Sequence, residues 1–238
     1  MIADAKLSFV IPVFNEEENL LPLHDELREV AESLGKPYEI IFVDDGSSDN
    51  SRGVIESLMK SSPAVHLLAF PTNRGQSAAL AGGFRVACGS IIVTLDADQQ
   101  NDPRDIPLML KELGTYDMVN GWRWQRRDTL SKKVASRIGY LMRNLLTGDT
   151  VRDTGCSLKV MRADLAKNIR WFRGMHRFLP TLMRLEGARV IEVPVNHRPR
   201  TRGVSNYSNL RRAIEGFSDL MAVKWMIKRH VFSDGEFK

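Results

Sequence analysis

LSFVIPV, residues 7–13, is an apolar run that stops at a polar turn and a helix-forming stretch, residues 17–34. Three further apolar runs follow at residues 39–43, 65–70 and 91–95, and a segment with helical spacing separates each from the next. Runs that are apolar throughout fit strands buried on both faces of a parallel sheet. The alternation of strands and helices therefore predicts an α/β fold with right-handed crossovers.

The second half of the chain has a less regular pattern. We predict strands at residues 117–120, 156–161 and 188–195, and helices at residues 131–146 and 178–186. No internal repeat and no Gly/Ser linker interrupts the chain. The sequence therefore predicts one α/β domain with a mostly parallel sheet flanked by helices.

A helical extension, residues 207–238, is predicted to follow a domain of residues 1–206. Its helix, residues 207–230, carries an apolar stripe at helical spacing that consists of Leu210, Ile214, Phe217, Met221 and Trp225. Lysines and arginines lie close to the stripe, so this amphipathic helix could rest on an anionic membrane surface. Packing of the stripe on the domain core, or on a second subunit of a homo-oligomer, is the alternative.

Charge is divided unevenly between the two halves of the 238-residue chain. Residues 1–120 carry 9 Lys and Arg against 19 Asp and Glu, a net charge of −10, whereas residues 121–238 carry 25 against 10, a net charge of +15. Such a division suits a cation in the first half and an anionic partner in the second. The chain has only two cysteines and no signal-like N-terminus, which predicts a cytoplasmic protein. It has no stretch of 18 successive apolar residues, so we expect no membrane-spanning helix.

Polar clusters directly follow three of the predicted strands, at residues 15–17, 44–47 and 96–100. Ligands of open parallel sheets bind beyond the carboxyl ends of the strands, so we expect these clusters to meet there. Asp96 and Asp98 repel each other unless a cation neutralises them, and Mg²⁺ or Mn²⁺ accepts carboxylate and amide oxygens. No histidine or cysteine lies nearby to favour zinc. An Asx-rich turn that caps the next helix is the alternative.

Several common enzyme signatures are missing from the sequence. It contains no G-x-x-x-x-G-K-[ST] loop, no G-x-G-x-x-G after the first strand and no G-x-S-x-G elbow. These absences disfavour P-loop nucleotide hydrolysis, dinucleotide binding of the usual kind and serine hydrolysis. A bound nucleotide would then depend on carboxylates and a metal ion.

Four motifs follow one another in the first half of the chain: VIPVFNEEEN (10–19), VDDGSSD (43–49), NRG (73–75) and LDADQQ (95–100). In this order they resemble the motifs of family 2 glycosyltransferases. Two later segments, DTGCSLK (153–159) and residues 198–207, resemble the polyprenyl-phosphate branch, which includes dolichol-phosphate mannosyltransferases and undecaprenyl-phosphate sugar transferases. The resemblance extends over residues 7–207, although Asn206 stands where the family often has lysine.

This resemblance implies a GT-A fold and inverting, metal-dependent transfer of a sugar from a UDP- or GDP-sugar to a polyprenyl phosphate at the cytoplasmic face of the membrane. The residues implied to bind the nucleotide are Pro12, Val13, Asn15, Glu16, Asp44, Asp45, Arg74 and Asp96. Asp98 and Gln100 are implied to hold Mg²⁺ or Mn²⁺ on the donor diphosphate. Those implied to bind the acceptor phosphate are Arg123, Arg137, Arg202 and Ser205. Catalytic roles are implied for Asp98, Arg123, Arg137 and Asp153.

The acceptor decides whether a general base is required. A phosphate is already ionised at neutral pH, whereas a saccharide or other lipid acceptor in cell-envelope glycan synthesis would need a base such as Asp153. A nucleotide-sugar binding protein without turnover is a second alternative. Nucleic-acid binding is disfavoured because aromatic residues are not interleaved with the arginines of the basic half.

Overall fold

A computed structural model describes residues 5–124, 130–199 and 209–230, with backbone positions alone for residues 130–138 and 209–214. Seven strands form one sheet in the order β3-β2-β1-β4-β6-β5-β7. The strands are β1 (Leu7–Val13), β2 (Tyr38–Asp44), β3 (Val65–Ala69), β4 (Ile91–Thr94), β5 (Met118–Arg123), β6 (Lys159–Arg162) and β7 (Val190–Val195). The helices are α1 (Glu17–Ser33), α2 (Ser51–Ser61), α3 (Gln76–Val86), α4 (Ile106–Glu112), α5 (Leu130–Thr147), α6 (Ala163–Ala166), α7 (Leu179–Leu185) and α8 (Asn209–Arg229).

The sheet is mostly parallel, as predicted, and β6 is its one antiparallel member. β1 pairs in parallel with β2 and β4, β2 with β3, and β5 with β7. β6 lies antiparallel between β4 and β5. It runs in the opposite direction because the chain enters it from the carboxyl edge of the sheet, after α5 and residues 148–158. That loop therefore lies at the same edge as the ends of β1, β2, β4 and β5.

Helices cover both faces of the sheet, which explains why its central strands are mostly apolar; Ser8 and Glu39 are buried exceptions that hydrogen-bond to each other at 2.5 Å. Every residue of β1 except Pro12 is buried, and every residue of β2 except Tyr38 is buried. Helices α1, α2 and α4 pack on one face, and α3, α7 and α8 pack on the other. The central strands of the sheet are therefore buried, whereas the outer strands β3 and β7 are only partly buried.

Gly83 allows α3 to approach the sheet closely. A Cβ atom at this position would lie 3.1 Å from Val43 Cγ2 and closer still to Val10. We expect Gly83→Ala to lower the free energy of unfolding by about 1–3 kcal/mol, because the packed core must move. Gly139→Ala in α5 is the control, since that position has open space around it, and it should stabilise by up to about 1 kcal/mol. Denaturant titration measures both, and equal effects would contradict the packing argument.

Sequence patterns misplaced the start of β6. The predicted strand at 156–161 begins only at Lys159. The carbonyls of Cys156 and Ser157 accept hydrogen bonds from the side chains of Lys159 and Thr94 rather than from backbone N–H groups of a neighbouring strand. Residues 156–158 therefore form the end of a loop at the carboxyl edge.

The described part of the apolar stripe of α8 points away from the core. Among the residues of α8 whose side chains are described, Leu220 and Val223 are buried. The stripe residues Phe217, Met221 and Trp225 are 52%, 43% and 64% exposed. The alternative in which the stripe packs on the domain core is therefore wrong for these three residues, while the side chains of Leu210 and Ile214 lie outside the described structure. Across the described ranges, no helix is both long enough and apolar enough to cross a bilayer.

Candidate active site

Three polar clusters share one edge of the sheet because β2, β1 and β4 are neighbours. Asn15 follows β1, Asp44 ends β2, and Asp96 follows β4. We call the set of residues 15–16, 44–45 and 96–100 the acidic edge. The prediction that these clusters meet beyond the carboxyl ends of the strands is confirmed.

Asp45 fixes the loop that precedes α3. Its two carboxylate oxygens accept hydrogen bonds from the backbone N–H groups of Arg74 and Gly75, each at 2.7 Å. Asp44 accepts a hydrogen bond from the N–H of Ser47 at 3.0 Å. Both carboxylates are 3% exposed, and burial raises the pKa of Asp45. The two carboxylates therefore hold the backbone of the loops at this edge of the sheet. The side chain of Arg74 is exposed, and its guanidinium carbon lies 5.8 Å from the Phe70 ring centroid.

Asn15 and Glu16 follow β1, which is the strand next to β2 in the sheet. Asn15 has a positive φ of 56°, and its side-chain oxygen accepts a hydrogen bond from the N–H of Ser48 at 2.7 Å. The N–H of Glu16 donates to Ser51 Oγ at 2.9 Å. Asn15 is thereby tied to the loop that follows β2, and Glu16 to the first residue of α2.

Pro12 and Val13 close β1 beneath these residues. Pro12 is half-buried, whereas the side chain of Val13 is in the core. The Val13 carbonyl accepts a hydrogen bond from the N–H of Asp45 at 2.8 Å. Val13 therefore supports the edge through its backbone.

Asp96 is held between α3 and the loop before β6. Its carboxylate accepts a hydrogen bond from Gln76 Nε2 at 2.7 Å, and its N–H donates to Ser157 Oγ at 3.2 Å. Burial and the charge of Asp98 raise the pKa of Asp96 to about 6. The two carboxylates therefore crowd negative charge at the end of β4.

Asp98 and Gln100 lie in a tight turn next to Asp96. The N–H of Gln100 donates to Asp98 Oδ1 at 3.2 Å, and the intervening Gln99 has a φ of 57°. Among the described residues, no three His, Cys, Asp or Glu side chains converge as a ready-made metal centre. The crowded Asp96 and Asp98 carboxylates have the oxygen chemistry and the excess charge that suit a divalent cation.

Arg123 and Asp153 form a two-pronged ion pair at the end of β5. Arg123 Nε lies 2.7 Å from Asp153 Oδ2, and Arg123 Nη2 lies 2.8 Å from Asp153 Oδ1. Their side chains are only 17% and 13% exposed. Burial alone would raise the pKa of Asp153, but the hydrogen bonds and charge of Arg123 outweigh it and lower that pKa.

One loop, residues 153–157, joins this ion pair to the acidic edge. Asp153 binds Arg123 at its start, and Ser157 at its end accepts from the N–H of Asp96. Glu192 on β7 secures the loop, because its carboxylate accepts from the N–H of Asp153 at 2.9 Å.

Sequence reasoning missed four residues with contacts in this region: Gln76, Ser157, Lys159 and Glu192. Gln76 directly follows the NRG motif, and Ser157 and Lys159 lie inside the DTGCSLK motif, so their positions gave a signal. Glu192 gave none.

Three predicted acceptor residues cannot be placed as side chains. Arg137 belongs to α5, and its side chain lies outside the described structure. Arg202 and Ser205 fall outside the described residues altogether. Their roles stay predictions.

Comparison with known proteins gives the family. The model of glycosyl transferase family 2 matches residues 8–170. The chain is 35% identical over 236 residues to dodecaprenyl-phosphate galacturonate synthase from Rhizobium johnstonii, across 95% of this chain and 69% of that protein. It is 39% identical over 215 residues to undecaprenyl-phosphate 4-deoxy-4-formamido-L-arabinose transferase from Pectobacterium carotovorum, across 89% of this chain and 65% of that protein. The chain thus spans about two thirds of the length of these curated relatives.

Solved structures share the fold at low sequence identity. Glucosyl-3-phosphoglycerate synthase from Mycobacterium tuberculosis, crystallised with Mn²⁺, UDP and phosphoglyceric acid, has a TM-score of 0.69 at 19% identity, across 97% of this chain and 81% of that chain. A mannosyltransferase from Pyrobaculum calidifontis in complex with GDP-Man and Mn²⁺ has a TM-score of 0.64 at 19% identity, across 95% of this chain and 70% of that chain. The predicted GT-A fold and the resemblance to the polyprenyl-phosphate branch are confirmed: the chain belongs to glycosyl transferase family 2.

Proposed function

We propose that this chain transfers a sugar, with inversion at the anomeric carbon, from a nucleoside-diphosphate sugar to a polyprenyl phosphate at the cytoplasmic face of a membrane. The observation that carries the proposal is that one loop, residues 153–157, joins the acidic edge to the buried Arg123–Asp153 pair. The two curated relatives support the acceptor class, because their names specify dodecaprenyl and undecaprenyl phosphate.

The donor is proposed to bind along the acidic edge. The nucleoside would lie against residues 12–16, 44–45 and 74, with Asp96 close to it. Asp98 and Gln100, together with the donor diphosphate, would hold Mg²⁺ or Mn²⁺. Burial is the main cause of the raised pKa of Asp96, and the charge of Asp98 adds to it; this repulsion between the two carboxylates supports the assignment, because a cation relieves it. When bound, the ion offsets the negative charge that grows on the diphosphate leaving group.

The acceptor phosphate is proposed to bind Arg123. Asp153 engages Nε and Nη2 of this guanidinium, and a guanidinium has five N–H donors in total. The remaining donors can bind phosphate oxygens and orient one of them for in-line attack on the anomeric carbon. Arg137, Arg202 and Ser205 are proposed to complete this phosphate site.

A saccharide acceptor is the second candidate, and it would require Asp153 as a general base. The ion pair with Arg123 lowers the pKa of Asp153, which makes its carboxylate a weak base. The geometry therefore favours an acceptor that is already ionised. We propose that Asp153 acts by orienting Arg123.

Membrane contact is proposed for the exposed apolar residues of α5 and α8, two helices that pack against each other. On α5 the exposed residues Leu141 and Leu145 are one turn apart, and on α8 the residues are Phe217, Met221 and Trp225. Lys228 and Arg229 follow in the last turn of α8. An apolar face beside basic residues suits an anionic lipid surface, where a polyprenyl phosphate is found.

We expect Trp225→Ser combined with Met221→Ser to weaken binding to anionic vesicles about 10–100-fold, because each side chain loses apolar burial. Co-sedimentation with phosphatidylglycerol vesicles measures this loss. Leu108→Ser is the control, since Leu108 is 47% exposed on α4, which packs on the other face of the sheet. Unchanged vesicle binding, with dimerisation lost in the double variant, would assign the face to a second subunit.

The direct test of the proposed function is transfer of label from UDP- and GDP-sugars to undecaprenyl phosphate. The expected product is a lipid-linked sugar, with release of the nucleoside diphosphate. Thermal stabilisation by UDP or GDP, measured with and without Mn²⁺, identifies the donor base. Nucleotide-sugar binding without turnover on any acceptor would instead favour a binding protein.

A further inference from the structure

Lys159 is a buried lysine near the carboxyl edge of the sheet. It begins β6 and lies opposite Thr94 of β4 and Asn120 of β5. Its exposure is 2%, although lysine is almost never fully buried unless its charge is satisfied. The next two residues of the strand, Val160 and Met161, are apolar as this environment favours.

The ammonium group of Lys159 satisfies its charge with the loop before β6. Its Nζ donates to the Thr154 carbonyl at 3.3 Å and to the Cys156 carbonyl. A buried ammonium costs several kcal/mol unless polar groups surround it, so an apolar residue of similar length would fill this space at lower cost. A lysine here therefore needs an explanation other than packing.

Both sides of the proposed site depend on the loop that Lys159 holds. Asp153, next to Thr154, grips the Arg123 guanidinium on the acceptor side. Ser157, next to Cys156, accepts from the N–H of Asp96 on the donor side and donates to Asn101 Oδ1 at 2.6 Å. The two carbonyls bound by Lys159 thus lie between the acceptor contact and the donor contact.

We propose that Lys159 is a positioning residue: by holding the Thr154 and Cys156 carbonyls, it fixes Arg123 relative to Asp96 and so sets the distance between acceptor and donor. Its effect on turnover rests on the proposed function, whereas its effect on the loop does not. A displacement of about 1 Å between reacting groups lowers the rate about 10²-fold. The gain in rate from a correctly placed loop would therefore explain why a destabilising buried charge is kept at this position.

The test compares Lys159→Met, which keeps length without charge, with Lys159→Arg, which keeps the charge and N–H donors. Lys167→Met is the matched control, because Lys167 also donates to a backbone carbonyl, that of Ala87 at 2.6 Å, outside the site. Hydrogen exchange is followed at the amides of Asp96, Asp153 and Cys156 in the three variants and in the wild type. Turnover and the KM for the nucleotide sugar are measured in parallel.

In Lys159→Met we expect exchange at these three amides to accelerate about tenfold or more, while amides of β1 and β2 keep their rates. Turnover should fall about 10²-fold with the KM for the nucleotide sugar changed less than about threefold, and Lys159→Arg should recover part of the turnover. Lys167→Met should match the wild type in both measurements.

Unchanged exchange at the three amides in Lys159→Met would overturn the proposal, whatever the enzyme does. A wild type without transferase activity would refute the proposed function alone, since the exchange result still decides the role of Lys159. If neither Lys159 variant folds, the wild type decides: exchange of the Asp153 and Cys156 amides as fast as that of exposed loop residues would also overturn it.

Discussion

Asp98→Asn is expected to lower sugar transfer about 10²–10³-fold, because it removes the negative charge that we propose holds the metal ion on the donor diphosphate. It should also abolish the part of the thermal stabilisation by UDP or GDP that depends on Mn²⁺. Asparagine keeps the side-chain oxygen that accepts from the N–H of Gln100, so the turn at residues 98–100 should persist. Thermal shift and transfer assays on the same preparation measure the two losses together.

Asp117→Asn is the control for this substitution. Asp117 is also a largely buried aspartate, but it precedes β5 at the amino edge of the sheet and pairs with Arg162 and Arg189. We expect it to cost stability while leaving metal-dependent nucleotide binding intact. If Asp98→Asn instead keeps the full Mn²⁺-dependent shift, residues 96–100 are a turn that caps the following helix, and the metal assignment is wrong.

The sequence allowed the sheet and its acidic edge to be predicted for a physical reason. Strands buried on both faces read as continuous apolar runs, so β1 was predicted with its observed bounds, Leu7–Val13. Ligands of parallel sheets bind beyond the carboxyl ends of the strands, and this rule predicted that Asn15, Asp44 and Asp96 lie at one edge of the sheet. Only the positions of strand ends were needed for that step.

Contacts between distant side chains could not be predicted in the same way. The start of β6 was misplaced because Cys156 and Ser157 have the composition of a strand, while their carbonyls are taken by Lys159 and Thr94. The resemblance implied a phosphate role for Arg123, but no spacing rule indicates that Asp153, thirty residues away, engages two of its nitrogens. Because of that pairing, we expect Asp153 to orient the Arg123 guanidinium and not to act as a general base.

Arg123→Ala is expected to lower transfer to a polyprenyl phosphate about 10²–10³-fold, since it removes the donors proposed to hold the acceptor phosphate. Asp153→Asn should lower transfer less, about 10–100-fold, because the guanidinium remains but loses one charged partner. If Asp153 acts through Arg123, the double variant should be no slower than Arg123→Ala alone. The corresponding coupling energy is about 1.5–3 kcal/mol in a double-mutant cycle on kcat/KM.

A general-base role for Asp153 predicts a different set of results. Asp153→Asn would then be at least as slow as Arg123→Ala, the two losses would add, and the acid limb of the pH–rate profile would disappear. In the orienting role, Asp153 stays ionised as the pH falls below neutrality, because its pKa lies below the usual value, and it contributes no such limb. The exposed pair of Arg162 and Asp164 serves as the control cycle, with a coupling energy below about 1 kcal/mol. Additive losses at Arg123 and Asp153, together with transfer to a saccharide, would move the acceptor assignment from a phosphate to a hydroxyl group.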